Sequence, residues 1–312
     1  MPTEKISHGS VTGGSSGEPK KTKSIKNAQA KEREQRSKNK EERRYLWFEQ
    51  WIKESYSVRE LAAMHKTSQS SIRRVIKYWL ERPPEAQNEE YSIIKHVIFD
   101  GTYLNRPWGI YASMNSESHQ IIKAESNLRE TSKDLLSIYN YLILHGLNPV
   151  SATVDGHLQQ IKALKLVWPE IMIQRCIIHV QRQGLSWCRR NPKRTDAKYL
   201  RELFLVLTEV KTEVESERYI KAVKAWENRF GSIMKTSSNR GPVFSDILRA
   251  RSMLTKALPD LFHFVNNPQI AKSTNALEGY FSRLKESYRL HRGLSRANRI
   301  NYFKWYFYLK PK

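Results

Sequence analysis

The chain has 312 residues, 39% of them hydrophobic, and carries 54 Lys and Arg against 31 Asp and Glu, a formal net charge of +23. That length holds about two domains with a real core, and the basic excess points to a polyanionic partner, nucleic acid ahead of an anionic membrane surface. Two cysteines exclude a disulfide scaffold and suggest a reducing compartment, no apolar run approaches the ~20 residues of a membrane helix, and the N-terminus lacks a signal-peptide core.

Residues 1–40 are rich in Ser, Gly, Lys, Glu and Gln, with almost no aliphatic side chains. Such a stretch buries too little surface to offset its ordering entropy, so it is expected as a disordered basic tail. From Lys20 the run suits a phosphate-contacting arm or a nuclear import signal; a solvated, partly helical leader is the alternative. Residues 41–84 change character. Tyr45, Phe48, Trp51 and Ile52 recur at helical spacing, and a second helix follows Ser57, with Glu60 in capping-box position. Ser68 caps a third helix whose inward stripe is Ile72, Val75, Ile76 and Trp79, and Pro83 and Pro84 stop it. This is the layout of an all-α helix-turn-helix DNA-binding domain, although its turn has no Gly. Gln69, Ser70, Arg73, Arg74 and Lys77 lie outside the apolar stripe, with the chemistry to meet base edges and phosphates. A trihelical protein-contact module with a solvated basic face is the alternative.

From residue 93 the period shifts. IIKHVIFDGTYL, WGIYASMN and HQIIKAESNL read as three strands at hairpin distances, followed by a helix ended by Gly146. A short strand, a helix over LQQIKALKLVW and a fifth strand over IMIQRCIIHV complete the order β-β-β-α-β-α-β, a mixed sheet with helices on its faces. Residues ~181–268 read as mostly amphipathic helix, and STNALEGYFSRLKESYRL as a strong helix with Leu277, Phe281 and Leu284 inside. The last residues are basic and aromatic.

Asp100 in VIFDGT and Asp155 in ATVDGH each close an apolar strand before a Gly. A carboxylate there is unfavourable unless a partner neutralises it, and strand ends are where α/β folds place chemistry. The intervening elements allow the two strands to be neighbours. Glu278, with Asn275 one turn before it, is the third candidate. Three convergent carboxylates in a basic protein suggest a site for Mg²⁺ or Mn²⁺, two ions of which can activate a nucleophile and stabilise the leaving oxygen of a phosphodiester. The alternative for each Asp is a strand-end turn residue paired with a nearby Lys.

HVIFDGTYL, ATVDGH, the Cys176 and His179 of QRCIIHVQR, and STNALEGYFSRLKE, in this order, resemble the DDE transposases of the Mutator-like elements and their bacterial insertion-sequence relatives. The likeness spans roughly residues 93–300. It implies an α/β, ribonuclease H-like catalytic domain over residues 90–312, with an all-helical insertion at about 181–268. It implies Asp100, Asp155 and Glu278 as catalytic metal ligands, cleavage at transposon ends, and attack of the freed 3′-hydroxyl on target DNA. Cys176 and His179 match the C-x2-H motif of that group, and His179 is expected at a strand end near Asp155, close to a phosphate. A zinc site and a buried Cys with a hydrogen-bonding His are the alternatives. Trp226 matches a Trp that relatives carry in the insertion; it suits stacking on an unpaired base, or a core position. Asn275 is expected to orient Glu278 or to touch DNA. Arg283, Lys285, Arg289, His291 and Arg292 are expected to bind phosphates.

The expected partners are therefore transposon terminal inverted repeats and target DNA, with no membrane, and at least a dimer on DNA because two ends must pair. Location follows the host, nucleoid-associated in a bacterium and nuclear in a eukaryote. Competing readings are a domesticated, catalytically silent relative, a helix-turn-helix regulator, and a ribonuclease H-like repair nuclease.

Overall fold

The computed structural model describes residues 20–84, 90–105, 108–129, 131–236 and 241–312. Strand β1 (His96–Asn105) runs through the middle of a five-stranded sheet of order β3-β2-β1-β4-β5. β2 (Trp108–Asn115) and β3 (Ile121–Leu128) form an antiparallel meander with it. β4 (Ser151–Val154) and β5 (Met172–Arg175) lie parallel on its other side. Alternation along β1 divides the core. Val97 and Phe99 pack under helices α4 (Ser132–Leu144) and α5 (Leu158–Val167), with Tyr139, Leu142, Leu164 and Trp168. A buried polar chain crosses this layer, with Gln160 Nε2 donating to the Tyr111 hydroxyl (2.7 Å), which lies 2.6 Å from that of Tyr139.

Ile98 faces the opposite way, into a layer built from both ends of the chain. Helix α11 (Asn275–Leu290) contributes Leu277, Phe281 and Leu284, and α12 (Arg296–Leu309) contributes Tyr302, Phe303, Trp305 and Tyr306. Onto these pack α1 (Lys20–Lys53), α2 (Val58–Met64) and α3 (Gln69–Leu80), through Phe48, Trp51, Ile52, Leu61 and Ile72. Trp305 Nε1 donates to the Trp79 carbonyl (2.9 Å) and Asn301 Nδ2 to that of Leu80 (2.8 Å). The aromatic residues near the C-terminus are thus core. Removing one of these large side chains deletes roughly 3–5 kcal/mol of packing. The N-terminal helices share this core with α11 and α12, so the expected boundary at residues 84–90 separates elements in sequence and not in packing.

The tract over 181–268 is helical as its pattern predicts: α6 (Ile177–Cys188), α7 (Thr195–Val206), α8 (Glu213–Thr236), α9 (Gly241–Ala257) and α10 (His263–Asn266). It has its own apolar cluster around Phe204, Leu207, Trp226, Ile247 and Leu254.

Three local features depart from the sequence pattern. Residues 20–40, expected within a disordered tail, form the first turns of α1; residues 1–19 lie outside the described part. Lys, Glu, Gln, Arg and Ala are strong helix formers, and Arg36 pairs with Glu32 one turn back at 2.6 Å, while every side chain from 27 to 44 stays exposed. The fifth strand stops at Arg175, and Cys176 begins α6. Asp100 does not end its strand, because β2 continues the pairing beyond it, Asp100 opposite Ala112.

The α2–α3 turn explains itself without glycine. Lys66 N–H bonds the Ala63 carbonyl and Thr67 N–H that of Ala62, the two bonds of a Schellman C-cap, and Lys66 takes the left-handed position with φ 46°. The capping box Ser57–Glu60 and the Ser68 cap of α3 are both formed. A left-handed L-residue costs about 1 kcal/mol, so Lys66→Gly is expected to raise the midpoint of chemical denaturation by an equivalent of that size, read by circular dichroism.

Candidate active site

Register places the two aspartates. β1 and β4 pair from His96–Ser151 to Ile98–Thr153; Asp100 lies two residues past the last pair and Asp155 two residues past its partner. They occupy equivalent places past the last pair, Asp100 still within β1 and Asp155 just beyond the end of β4, and the charge of Asp155 is felt at Asp100. Asp100 is 8% exposed and its Oδ1 accepts from Gly101 N–H at 2.9 Å. Asp155 closes a small turn, its Oδ1 accepting from His157 N–H at 2.8 Å.

Glu278 is brought to the same region by a stitched return of the chain. Thr153 Oγ1 donates to the Ala271 carbonyl (2.6 Å), Ile177 N–H to that of Lys272 (3.1 Å), and Thr274 N–H to Cys176 Sγ (3.4 Å). Thr274 is fully buried at the head of α11. Its hydroxyl lies 3.3 Å from Glu278 Oε1, 3.4 Å from His179 Nδ1 and 3.6 Å from Cys176 Sγ. The same Glu278 Oε1 faces His179 Nε2 at 3.7 Å, and Oε2 faces Arg182 Nη1 at 3.8 Å.

Charge converges here. Burial pushes the Asp100 carboxyl up to about 7, the negative charges of Asp155 and Glu278 adding to it against the Gly101 hydrogen bond and the His179 charge. The hydrogen bond to Cys176 raises the His179 imidazole to about 9, against its burial and helped by the charges of Cys176, Glu278 and Asp100. Burial alone raises the Cys176 thiol, but His179 and the Thr274 N–H outweigh it and leave it below its ordinary value. The thiol and the imidazole thus favour each other's charged forms beside the carboxylates.

The glycine after Asp155 has a steric reason. Gly156 has φ +101°, and a Cβ there would fall 1.9–2.2 Å from the Arg175 guanidinium, which crosses it. Arg175 Nη2 donates to the Asp155 carbonyl at 3.4 Å.

A family model described as transposase, Mutator family, matches residues 48–292. The chain belongs to the Mutator family of transposases. No curated protein matches it. The matched span takes in every site residue named above and ends just beyond α11.

The remaining expected residues of the transposase divide into exposed and buried sets. Gln69, Ser70, Arg73, Arg74 and Lys77 all project from α3 into solvent, with Arg73 held by Gln69 Oε1 at 3.1 Å. Arg283, Arg289 and Arg292 are exposed along α11 and its exit. Lys285 instead donates to Thr102 Oγ1 and ties α11 to β1. His291 is buried, its Nε2 donating to the Trp51 carbonyl, and burial lowers it to about 4, so it is a core residue and not a phosphate contact. Trp226 is 5% exposed and its indole N–H donates to the Asp196 carbonyl (2.9 Å), the core position of its two alternatives and not an open stacking face. Asn275 points outward; the contact with Glu278 expected of it is made by Thr274. His179 sits in the first turn of α6 and not on a strand.

Sequence reasoning passed over Thr274, Arg175 and Arg182. Arg175 carried the same signal as Asp100, a charge within an apolar strand. Thr274 carried that of a helix-start residue four before an acid.

The raised Asp100 carboxyl has a stability consequence. A buried acid with folded value about 7 and ordinary value 3.8 binds its proton more tightly when folded, so stability falls as pH rises between those values. Asp100→Asn removes that loss. It is expected to raise the unfolding midpoint above pH ~7, by up to ~4 kcal/mol, and to do little near pH ~4; thermal melts across that range check it.

Proposed function

We propose that this transposase cuts DNA at the ends of its mobile element and joins the freed 3′-hydroxyl to target DNA, with Asp100, Asp155 and Glu278 as the reacting centre. The observation that carries the reading is the register match of Asp100 and Asp155 past the last pair of adjacent parallel strands, with Glu278 held to the same strands through Thr274. The sheet order β3-β2-β1-β4-β5, antiparallel on one side of β1 and parallel on the other, supports a ribonuclease H-like core interrupted by the helical tract of α6–α10. The capped α2–turn–α3 unit with its exposed Arg73, Arg74 and Lys77 supports a helix-turn-helix reader of the element's ends.

The donor set fits Mg²⁺ or Mn²⁺ in kind: carboxylate oxygens, with Asp100 held towards its neutral form first by burial and then by the charges of Asp155 and Glu278. As folded, Glu278 turns to His179 and Arg182, and among the described residues no three His, Cys, Asp or Glu side chains stand close enough to hold a metal ion. Glu278 therefore has to rotate out of that pairing to join the aspartates. A bound divalent cation supplies charge neutralisation at the scissile phosphate and lowers the pKa of the attacking water or hydroxyl. Asp100 gives up its proton on the way to its working state. His179, protonated and released by that rotation, lies within reach of a non-bridging phosphate oxygen. Arg182, 65% exposed at the same carboxylate, is free to move to a DNA phosphate once Glu278 rotates. Pairing of two DNA ends calls for at least a dimer. Among the described residues no helix is long and apolar enough to cross a membrane.

The test is cleavage of a labelled duplex carrying the gene's own flanks, with Mg²⁺, Mn²⁺ or EDTA. Metal-dependent cuts at one defined end, reduced to background in Asp100→Asn, Asp155→Asn and Glu278→Gln with DNA affinity retained, are expected. Cleavage surviving in any variant removes that residue from the centre, and tight binding with no cut in the wild type favours a catalytically silent relative. At limiting Mg²⁺ the cutting rate should rise with pH through about 7, as Asp100 ionises. Arg73→Ala should weaken binding to the element's ends by ~1–3 kcal/mol and binding to random DNA by less; equal losses in a filter-binding titration reduce α3 to phosphate contact.

A further inference from the structure

A second feature adjoins the aspartates. A cleft of about 440 Å³ opens between the Asp155–Gly156 turn and α9, its walls including Gly156, Arg175, Trp187, Arg249, Ser252 and Lys256, with no carboxylate among its lining residues. Arg175 is only 9% exposed, yet its Nε has no hydrogen-bond partner. Among the described residues the guanidinium makes one hydrogen bond, the long 3.4 Å contact to the Asp155 carbonyl, and no ion pair. A buried guanidinium with an unmet N–H is unfavourable unless something supplies the missing acceptor. The fork of Arg matches the oxygens of a phosphate, the exposed Lys256 and Arg249 add charge at the mouth, and Ser252 adds a hydroxyl donor. Among the described residues Arg249 is held by a 3.6 Å pair with Asp246.

We propose that this cleft binds a backbone phosphodiester of the DNA strand that lies across the aspartates, with Arg175 as its buried anchor and Arg249 and Lys256 as its outer contacts. The proposal rests on the DNA-cutting reading above. Gly156 directly follows Asp155, so a strand whose reacting phosphodiester lies at Asp155 presents a neighbouring one to the cleft. The bare glycine lets the Arg175 guanidinium lie flat across the turn, which makes the catalytic turn and the anchor one unit. The site fixes the strand's position along its own axis, a role distinct from reading sequence.

The test is binding in EDTA, where no cutting occurs, so that loss of this site and loss of the catalytic reading give separate results. A fluorescent duplex carrying the gene's flanks is titrated by anisotropy against full-length wild type, Arg249→Ala/Lys256→Ala and Arg175→Gln, at several salt concentrations. The double variant changes only exposed side chains and should fold as wild type. It is expected to bind about tenfold more weakly, with a salt slope smaller by about 1–2. A scan of single methylphosphonates should find one or two positions that weaken wild type and leave the double variant and Arg175→Gln unaffected. Unchanged affinity and slope in the double variant, or methylphosphonate losses spread alike over all positions in both proteins, would overturn the proposal. No DNA binding by wild type would overturn it together with the proposed function.

Discussion

Three short contacts hold the site together: Thr153 to Ala271, Ile177 to Lys272, and Thr274 to Cys176. They clamp the chain where it returns from the helical tract against β4 and the start of α6. Without them Glu278, more than a hundred residues after Asp155 in sequence, has no reason to stand beside it. A long excursion between two parts of one site is tolerable because loop-closure entropy grows only slowly with length, provided the ends are pinned. Here the pins are backbone carbonyls and buried hydroxyl and thiol groups, whose hydrogen bonds in a dry setting fix position well.

The clamp also explains the Cys176–His179 motif. Cys176 follows the last residue of β5 and stands at the N-cap of α6, so a residue three on lies one helical turn along, on the same side, facing α11. Thr274 lies between the two and touches both, as well as Glu278. The motif therefore acts as a hinge plate between strand, helix and returning chain. The positive His179 stands where three carboxylates would otherwise repel one another.

Much of this was legible in sequence. The order of five strands and two helices, the capping box at Ser57 and the helical character of 181–268 follow from periodicity and caps, which are local signals. Asp100 and Asp155 stood out because charge in an apolar strand is rare without a use. What escaped was set by tertiary contact. Residues 20–40 fold as helix because their propensity is high even though nothing covers them, while composition weighs only the missing core. Asp100 lies mid-strand because β2 outlasts β4 as its partner, a difference in strand length that no residue pattern records. Trp226 and His291 are core because helices elsewhere in the chain cover them. Arg283, Arg289 and Arg292, on the same helix as the buried positions, remain at the surface.

The shared core of α1–α3 with α11 and α12 bears on how the protein is made. Phe48, Trp51 and Ile52 are synthesised about 250 residues before the residues that cover them, Tyr302 to Tyr306. A growing chain thus carries an uncovered aromatic surface over that whole stretch and completes the packing of α1–α3 only when α12 emerges. The same arrangement opposes evolution by module exchange: a new α2–α3 unit from another element has to arrive with an α12 that fits it.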